Sequence, residues 1–309
     1  MFLGEELAAV LDAIEKEGSY NAKDREMMKI GVHVLPKFPK DSTDRNRTSP
    51  FAFTGNKFEF RMLGSSASVA DANTVLNTAV ASVLRDFADR LEGAEDFAAE
   101  LHNLIRDTVI AHKRILFNGN GYDDAWLREA EKRGLSNYKT TPEALAHFLD
   151  EKNVRLFTSM GVLSETELRS RSEIYEENYA KILNIEALTM IDMTKRSILP
   201  AVSKFAGSLA ESASSVRRVA PEAPLTYEEE TVASLSRLAS SAAEKLHVLE
   251  NANMAARALE DSAARAMAYK DTVLPAMTEL RVVVDGLETL VSHDAWPYPS
   301  YGDLLYSVR

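Results

Sequence analysis

Lys57, Glu59 and Arg61 stand at alternate positions, with Phe58, Phe60 and Met62 between and after them. In an extended strand successive side chains point to opposite faces. A strand over residues 57–62 therefore carries cation, carboxylate and cation on one face and three large apolar groups on the other. The expectation is that the apolar face is pinned to a core, so that the polar face is held rigidly. A fixed carboxylate between fixed cations suits a site that holds a metal–phosphate substrate. The pattern alone also describes a half-buried edge strand with a solvated charged face.

The flanking residues add charge. Between residues 36 and 62, Lys37, Lys40, Arg45, Arg47, Lys57 and Arg61 oppose Asp41, Asp44 and Glu59. That is a local excess of three positive charges in a chain of net charge −11. A basic island in an acidic protein points to a small anionic ligand. Nucleic acid would need a broad basic surface, so it is not an expected partner.

The motif DRNRTSPFAFTGNKFEFR, residues 44–61, resembles the end of the catalytic domain of glutamine synthetases, specifically the large type III class. VLNTAVA at 75–81, HKRILFNGNGY at 112–122 and ENYAKILNIEALTMIDM at 177–193 carry the same resemblance, which runs from about residue 2 to about residue 300. It implies an ATP-dependent ligase that joins ammonia to glutamate through γ-glutamyl phosphate, with Mg²⁺ or Mn²⁺ accompanying ATP. By the same resemblance Arg47 contacts the transferring phosphate and the nucleotide. Lys57 falls at a nucleotide-contacting position, Glu59 matches a metal ligand, and Arg61 matches an arginine that holds the glutamate substrate. One departure is visible. Many members have a further arginine five residues after the Arg47 equivalent, where this chain has the run Ser49-Pro50-Phe51-Ala52-Phe53.

Members of that class are more than twice as long. The family's N-terminal β-grasp domain, most of its metal-ligating strands and its flap loop have no counterpart in these 309 residues. The resemblance implies the C-terminal part of such an enzyme: the end of the catalytic domain over 1–78 and a helical C-terminal domain over 79–309. Alone it is expected to be inactive and to bind no metal or nucleotide tightly. Within the whole enzyme the implied partners are glutamate, ATP and ammonia, in a homo-oligomer that is a dodecamer in the family. The competing reading is a non-enzymatic oligomerisation or regulatory module that keeps a relic of the site.

Composition sets the class. At 45% hydrophobic and 27% charged, the chain is an ordinary globular sequence. It has no cysteine, hence no disulfide framework or thiolate chemistry. No apolar run approaches the length needed to span a bilayer, and the acidic first helix lacks a basic leader region. A cytoplasmic location and no membrane association are expected.

Glycine and proline then mark out the elements. Residues 1–18 read as a helix stopped by Gly18, and 19–56 as mostly loop with a short strand at Ile30–Leu35. Residues 65–92, 162–199 and 225–274 lack both breakers and favour long helices. Leu235, Leu238, Ala242, Leu246 and Leu249 form an apolar stripe. Thr141-Pro142-Glu143 and Thr226 read as helix starts, while Pro200 and the Pro221/Pro224 pair read as dividers. The fold class is therefore mainly α: a long-helix bundle with a small β-containing catalytic-domain remnant at the N-terminus. No internal repeat is evident.

The remaining motifs read as structural. Asn118-Gly119-Asn120-Gly121 is a turn former. None of the six histidines pairs with another at helical spacing or with acidic residues at metal-ligand spacing. Phe2, Leu3, Phe38, Phe51 and Phe53 are expected to be partly exposed, and Met190 and Met193 to lie in the core with Leu188 and Ile191.

Overall fold

The computed structural model describes residues 1–18, 49–54, 57–64 and 67–306. In order they form α1 (Glu5–Glu15), β1 (Phe51–Phe53), β2 (Phe58–Phe60), α2 (Val69–Leu91), α3 (Phe97–His112), α4 (Asp124–Lys132), α5 (Thr141–Leu145), α6 (Glu151–Ser159), α7 (Glu165–Met193), α8 (Leu199–Val219), α9 (Thr226–Arg257), α10 (Ser262–Ala268), α11 (Leu274–Glu288) and α12 (Tyr301–Leu305). The mainly α expectation holds: among the described residues the only sheet is the β1–β2 hairpin. The expected strand at Ile30–Leu35 and the side chain of Phe38 lie outside the described residues. No helix among the described residues is long and apolar enough to cross a membrane.

The chain forms two compact units, residues 1–138 with 154–164, and residues 139–153 with 165–309. In the first, α1 packs on α3. The carboxylate of Glu15 meets Lys113, and Arg106 reaches Glu17 at 3.2 Å. The end of α1 departs from expectation. Its left-handed residue is Glu17, at φ 55°, while Gly18 donates its N–H to the carbonyl of Ala13 at 2.9 Å. Helix α2 buries only Thr78 and leaves Val69, Val80, Val83 and Leu84 exposed.

The second unit is built around α9. The predicted stripe is its core face: Leu235, Ala242, Leu246 and Leu249 are buried and Leu238 packs beside them. Val202 of α8 and Leu280 and Leu287 of α11 close over this face. A few polar groups are buried with partners. The Tyr269 hydroxyl donates to Asn253 Oδ1 at 3.0 Å, and Asn253 Nδ2 donates to Asn184 Oδ1 at 3.2 Å. Of the methionine group, Met190, Ile191 and Met193 pack against this core, whereas Leu188 is exposed.

Two sequence expectations need correction here. The breaker-free run 225–274 is not one helix: α9 ends at Arg257, and Asp261 caps α10 by accepting the N–H of Ala264 at 2.7 Å. A local side-chain acceptor ended the helix without glycine or proline. Helix α5 starts at Thr141, as expected, and the Glu143 carboxylate reaches back to accept the Thr140 N–H at 3.2 Å.

Pro200 does not divide α7 from α8, because the helical path continues through a widened turn of π type at Thr194–Ile198. In a regular helix the proline ring would meet the carbonyl four residues earlier. A widened turn opens that position. Tyr269–Val273 is a second widened turn, again followed by Leu-Pro. Thr194–Pro200 and Tyr269–Pro275 share one pattern, TKRSILP and YKDTVLP. This is a short internal repeat that a search for longer periods passes over.

Candidate functional site

The hairpin pairs Phe51 with Phe60, Ala52 with Glu59 and Phe53 with Phe58. Phe2 adds a parallel bridge on the other edge of β1, donating to Phe51 O at 3.0 Å and accepting from Phe53 N–H at 2.9 Å. Beyond β2, the Arg61 N–H reaches Pro50 O at 2.8 Å. β1 is thus paired on both edges, and β2, which carries Glu59 between Lys57 and Arg61, is paired on one.

Residues 1–4 are in turn held by the segment after α3. Asn118 Oδ1 accepts the N–H groups of Leu3 and Gly4 at 3.0 and 3.1 Å, and its Nδ2 donates to Gly4 O at 3.3 Å. Phe117 donates its N–H to Met1 O at 3.0 Å. The Phe117 ring stacks on Trp126 at 4.2 Å, and a Cβ at Gly119 would meet that ring at 2.5 Å. Arg133 covers Trp126 and donates to Leu116 O at 2.8 Å. The Asn-Gly turn is structural, as expected, but it also fastens the chain beside the hairpin.

Sequence reasoning missed that role of Asn118. The available signal was an asparagine opening a glycine turn, a residue able to satisfy several backbone groups at once. Asn118→Ala is expected to destabilise the first unit by about 1–3 kcal/mol, because two partly buried N–H groups lose their acceptor. Chemical denaturation followed by hydrogen exchange at Leu3 and Gly4 measures it. Unchanged exchange at both amides would refute the assignment.

The predicted charged face forms. Arg61 Nη2 and Nε donate to Glu59 Oε2 at 3.1 and 3.2 Å, Lys57 Nζ lies 3.6 Å from Oε1, and Thr54 Oγ1 donates to Oε1 at 3.4 Å. The hydrogen bonds from Arg61, opposed by partial burial and aided by both cations, hold the Glu59 carboxyl below the usual range. It is an anion at neutral pH. Arg47 lies outside the described residues.

The burial of the two faces is the reverse of expectation. Phe58 and Phe60 are 51% and 43% exposed and Met62 is more so. They are not anchored in a core; Phe58 stacks on Phe51 at 5.6 Å, and Phe51 and Phe60 meet edge to face at 6.3 Å. The charged face is the better covered one at Arg61 and Glu59, while Lys57 at its end is 66% exposed. Ala52, across from Glu59 and so on its side of the sheet, is fully buried, and the Arg61 side chain is only 14% exposed. Leu3 is buried too, against expectation, while Phe2, Phe51 and Phe53 are partly exposed as expected. Alternation fixes which residues share a face, not which face is covered.

As a metal site the described residues are incomplete. Glu59 offers one hard, ionised oxygen donor of the kind Mg²⁺ and Mn²⁺ accept. No group of three His, Asp or Glu among the described residues comes together to hold an ion. Two histidines do have acidic partners three residues on, contrary to the sequence reading: His147 with Asp150 and His247 with Glu250, each at 3.2 Å. These are isolated helix-spaced pairs.

Comparison with known proteins bears on the whole chain. Residues 100–217 match the family described as "Glutamine synthetase C-terminal domain". The chain is 37% identical to the type-3 glutamine synthetase of Dictyostelium discoideum, over 99% of its own length and 43% of that protein. It is 34% identical to the glutamine synthetase of Butyrivibrio fibrisolvens, over 100% of its own length and 44% of the relative. The figures for the glutamine synthetase of Bacteroides fragilis are 33%, 99% and 44%. The chain thus spans less than half the length of the curated relatives it matches. Its whole described fold, hairpin and helices together, falls within the aligned part, and on these matches the chain belongs to the type III glutamine synthetase family.

Proposed function

We propose that this chain supplies the last catalytic elements and the helical C-terminal domain of a type III glutamine synthetase. In that reading residues 1–78 complete the catalytic domain and 79–309 form the appendage. The reaction phosphorylates the side-chain carboxylate of glutamate with ATP, and ammonia then displaces phosphate to give glutamine. Such chemistry rests on charge neutralisation and positioning. Glu59 would offer one oxygen to a divalent metal accompanying ATP, which would supply part of that neutralisation. Arg61 grips the carboxylate of the substrate, Lys57 lies toward the nucleotide, and Arg47 contacts the phosphate being transferred. The enzyme acts in the cytoplasm as a homo-oligomer, a dodecamer by family.

The observation that supports this reading is the Glu59–Arg61 pair on the covered face of the hairpin, in a chain of this family. Two N–H donors of Arg61 fall on one oxygen of Glu59 and only long contacts reach the other. The anion is thereby oriented, with one oxygen turned from the arginine.

One carboxylate does not make a phosphoryl-transfer site, so the isolated 309-residue chain is expected to form no glutamine from glutamate, ATP and ammonia. Turnover above a host-enzyme blank would refute this. A second reading, a non-enzymatic assembly module, is favoured by the second unit's own continuous core and by the exposed Ile174, Ile182 and Ile185 on α7. The readings separate when this chain is supplied in trans to the remainder of a type III enzyme. Restored synthesis supports the catalytic role; assembly without synthesis supports the module.

A further inference from the structure

The second unit contains a cleft of about 370 Å³ beside the first widened turn, with no part in the proposed synthesis. Its size is at the lower end for small-molecule sites. Three aromatic side chains line it, Trp296, Tyr298 and Tyr301. None is paired ring to ring with another aromatic among the described residues, so their faces are not used on each other. Met190 and Met193 supply soft, polarisable surface on the α7 side.

The charge at the cleft is negative. Arg281 lies there but is held by Asp285 at 3.0 and 3.2 Å. Glu288 lies one turn further along α11, is exposed, and makes no hydrogen bond or ion pair among the described residues. One carboxylate is therefore left in excess beside three ring faces.

The internal repeat gives a reason for the hollow. Thr194 stands in the first copy where Tyr269 stands in the second. Tyr269 fills its place, fully buried with its hydroxyl bonded to Asn253. Thr194 is also buried, but the smaller side chain borders the cleft. Widened turns of this kind recur at functional sites.

The far wall is fastened. Tyr301 and Leu304 belong to α12, whose capping box joins Ser300 to Asp303. His293 Nε2 meets Asp303 Oδ2 at 3.0 Å and ties that turn back to the chain after α11.

We propose that this cleft is a binding site for a small alkylated ammonium ion, its methyl groups against Trp296, Tyr298 and Tyr301 and its charge balanced by Glu288. Aromatic faces attract such cations through the ring quadrupole, and a nearby carboxylate adds to the attraction. An anion is disfavoured by the same carboxylate, and a neutral ligand gains only the apolar contact. The proposal is independent of the synthetase reading.

The test is calorimetric titration of the 309-residue chain with choline and, separately, with its uncharged carbon isostere 3,3-dimethyl-1-butanol. Choline is expected to bind saturably, about ten-fold tighter than the isostere, the factor given by a cation–π contribution of ordinary size. Glu288→Gln, an exposed change that leaves the fold alone, is expected to weaken choline about three-fold, the scale of one exposed charge pair, while the isostere binds as before. Trp296→Leu is expected to weaken choline about ten-fold, with circular dichroism confirming the helices. The proposal is overturned by the absence of saturable choline binding, by equal affinity for the isostere, or by unchanged choline affinity in Glu288→Gln.

Discussion

Glu59→Gln, introduced into a complete type III enzyme that carries this segment, is expected to leave the hairpin folded and to lower glutamine formation on the order of 10²–10³-fold, the scale of losing one preorganised electrostatic group. The amide keeps the volume of the side chain and one acceptor oxygen. It loses the charge that Arg61 and Lys57 now face at 3.1 and 3.6 Å. Arg61 is mostly covered, so the substitution also leaves a cation with a weaker partner; hydrogen bonds to charged groups contribute about 1.5–3 kcal/mol. A thermal scan beside the assay separates that structural loss from the catalytic one. Arg61→Lys is the companion. Lysine cannot place two parallel donors on a carboxylate, so the KM for glutamate should rise more than the KM for ATP. Near-normal rates and KM values in both variants would show that the pair is only an ion pair of the sheet.

Leu280→Ala is expected to destabilise the second unit by about 2–5 kcal/mol. Leu280 is fully buried on α11, in the core that α9 centres. Its removal forfeits apolar transfer and leaves a cavity that closely packed helices close only partly. Val282, two residues along on the same helix, is exposed. Val282→Ala should fall within about ±0.5 kcal/mol. Urea titrations of both variants decide the matter. Equal losses would mean that α11 does not pack on α9 in solution as described.

The stripe from Leu235 to Leu249 was legible because a helix repeats every 3.6 residues and only one arrangement buries all its leucines. The chain's bulk as helices was legible for the same kind of reason: long runs free of glycine and proline. Helix ends were read less well. Asp261 closed one run by accepting the Ala264 N–H, and Glu143 accepts the Thr140 N–H at the start of another helix; propensity summed over a window does not register such single bonds. Pro200 was misread because a break and a widened turn use the same residue, and the choice between them depends on what the preceding turn packs against.

At the candidate site the sequence by itself determined which chemistry shares a surface. Strand alternation put Lys57, Glu59 and Arg61 together, and the structure joins all three through one carboxylate. It also carried the family, since the motifs around that strand are specific. The tertiary structure alone decided which face of the hairpin is covered, because a two-sided pattern of large apolar and charged groups is satisfied by either choice until a neighbour arrives. It alone seated Asn118 under residues 3 and 4, a contact 114 and 115 positions away along the chain. It alone opened a cleft at Thr194 and filled the equivalent place with Tyr269. Local periodicities follow from the geometry of one backbone segment and are written in consecutive residues. Covering a face or closing a hollow depends on surfaces brought together from distant parts of the chain, and no single stretch of sequence records them.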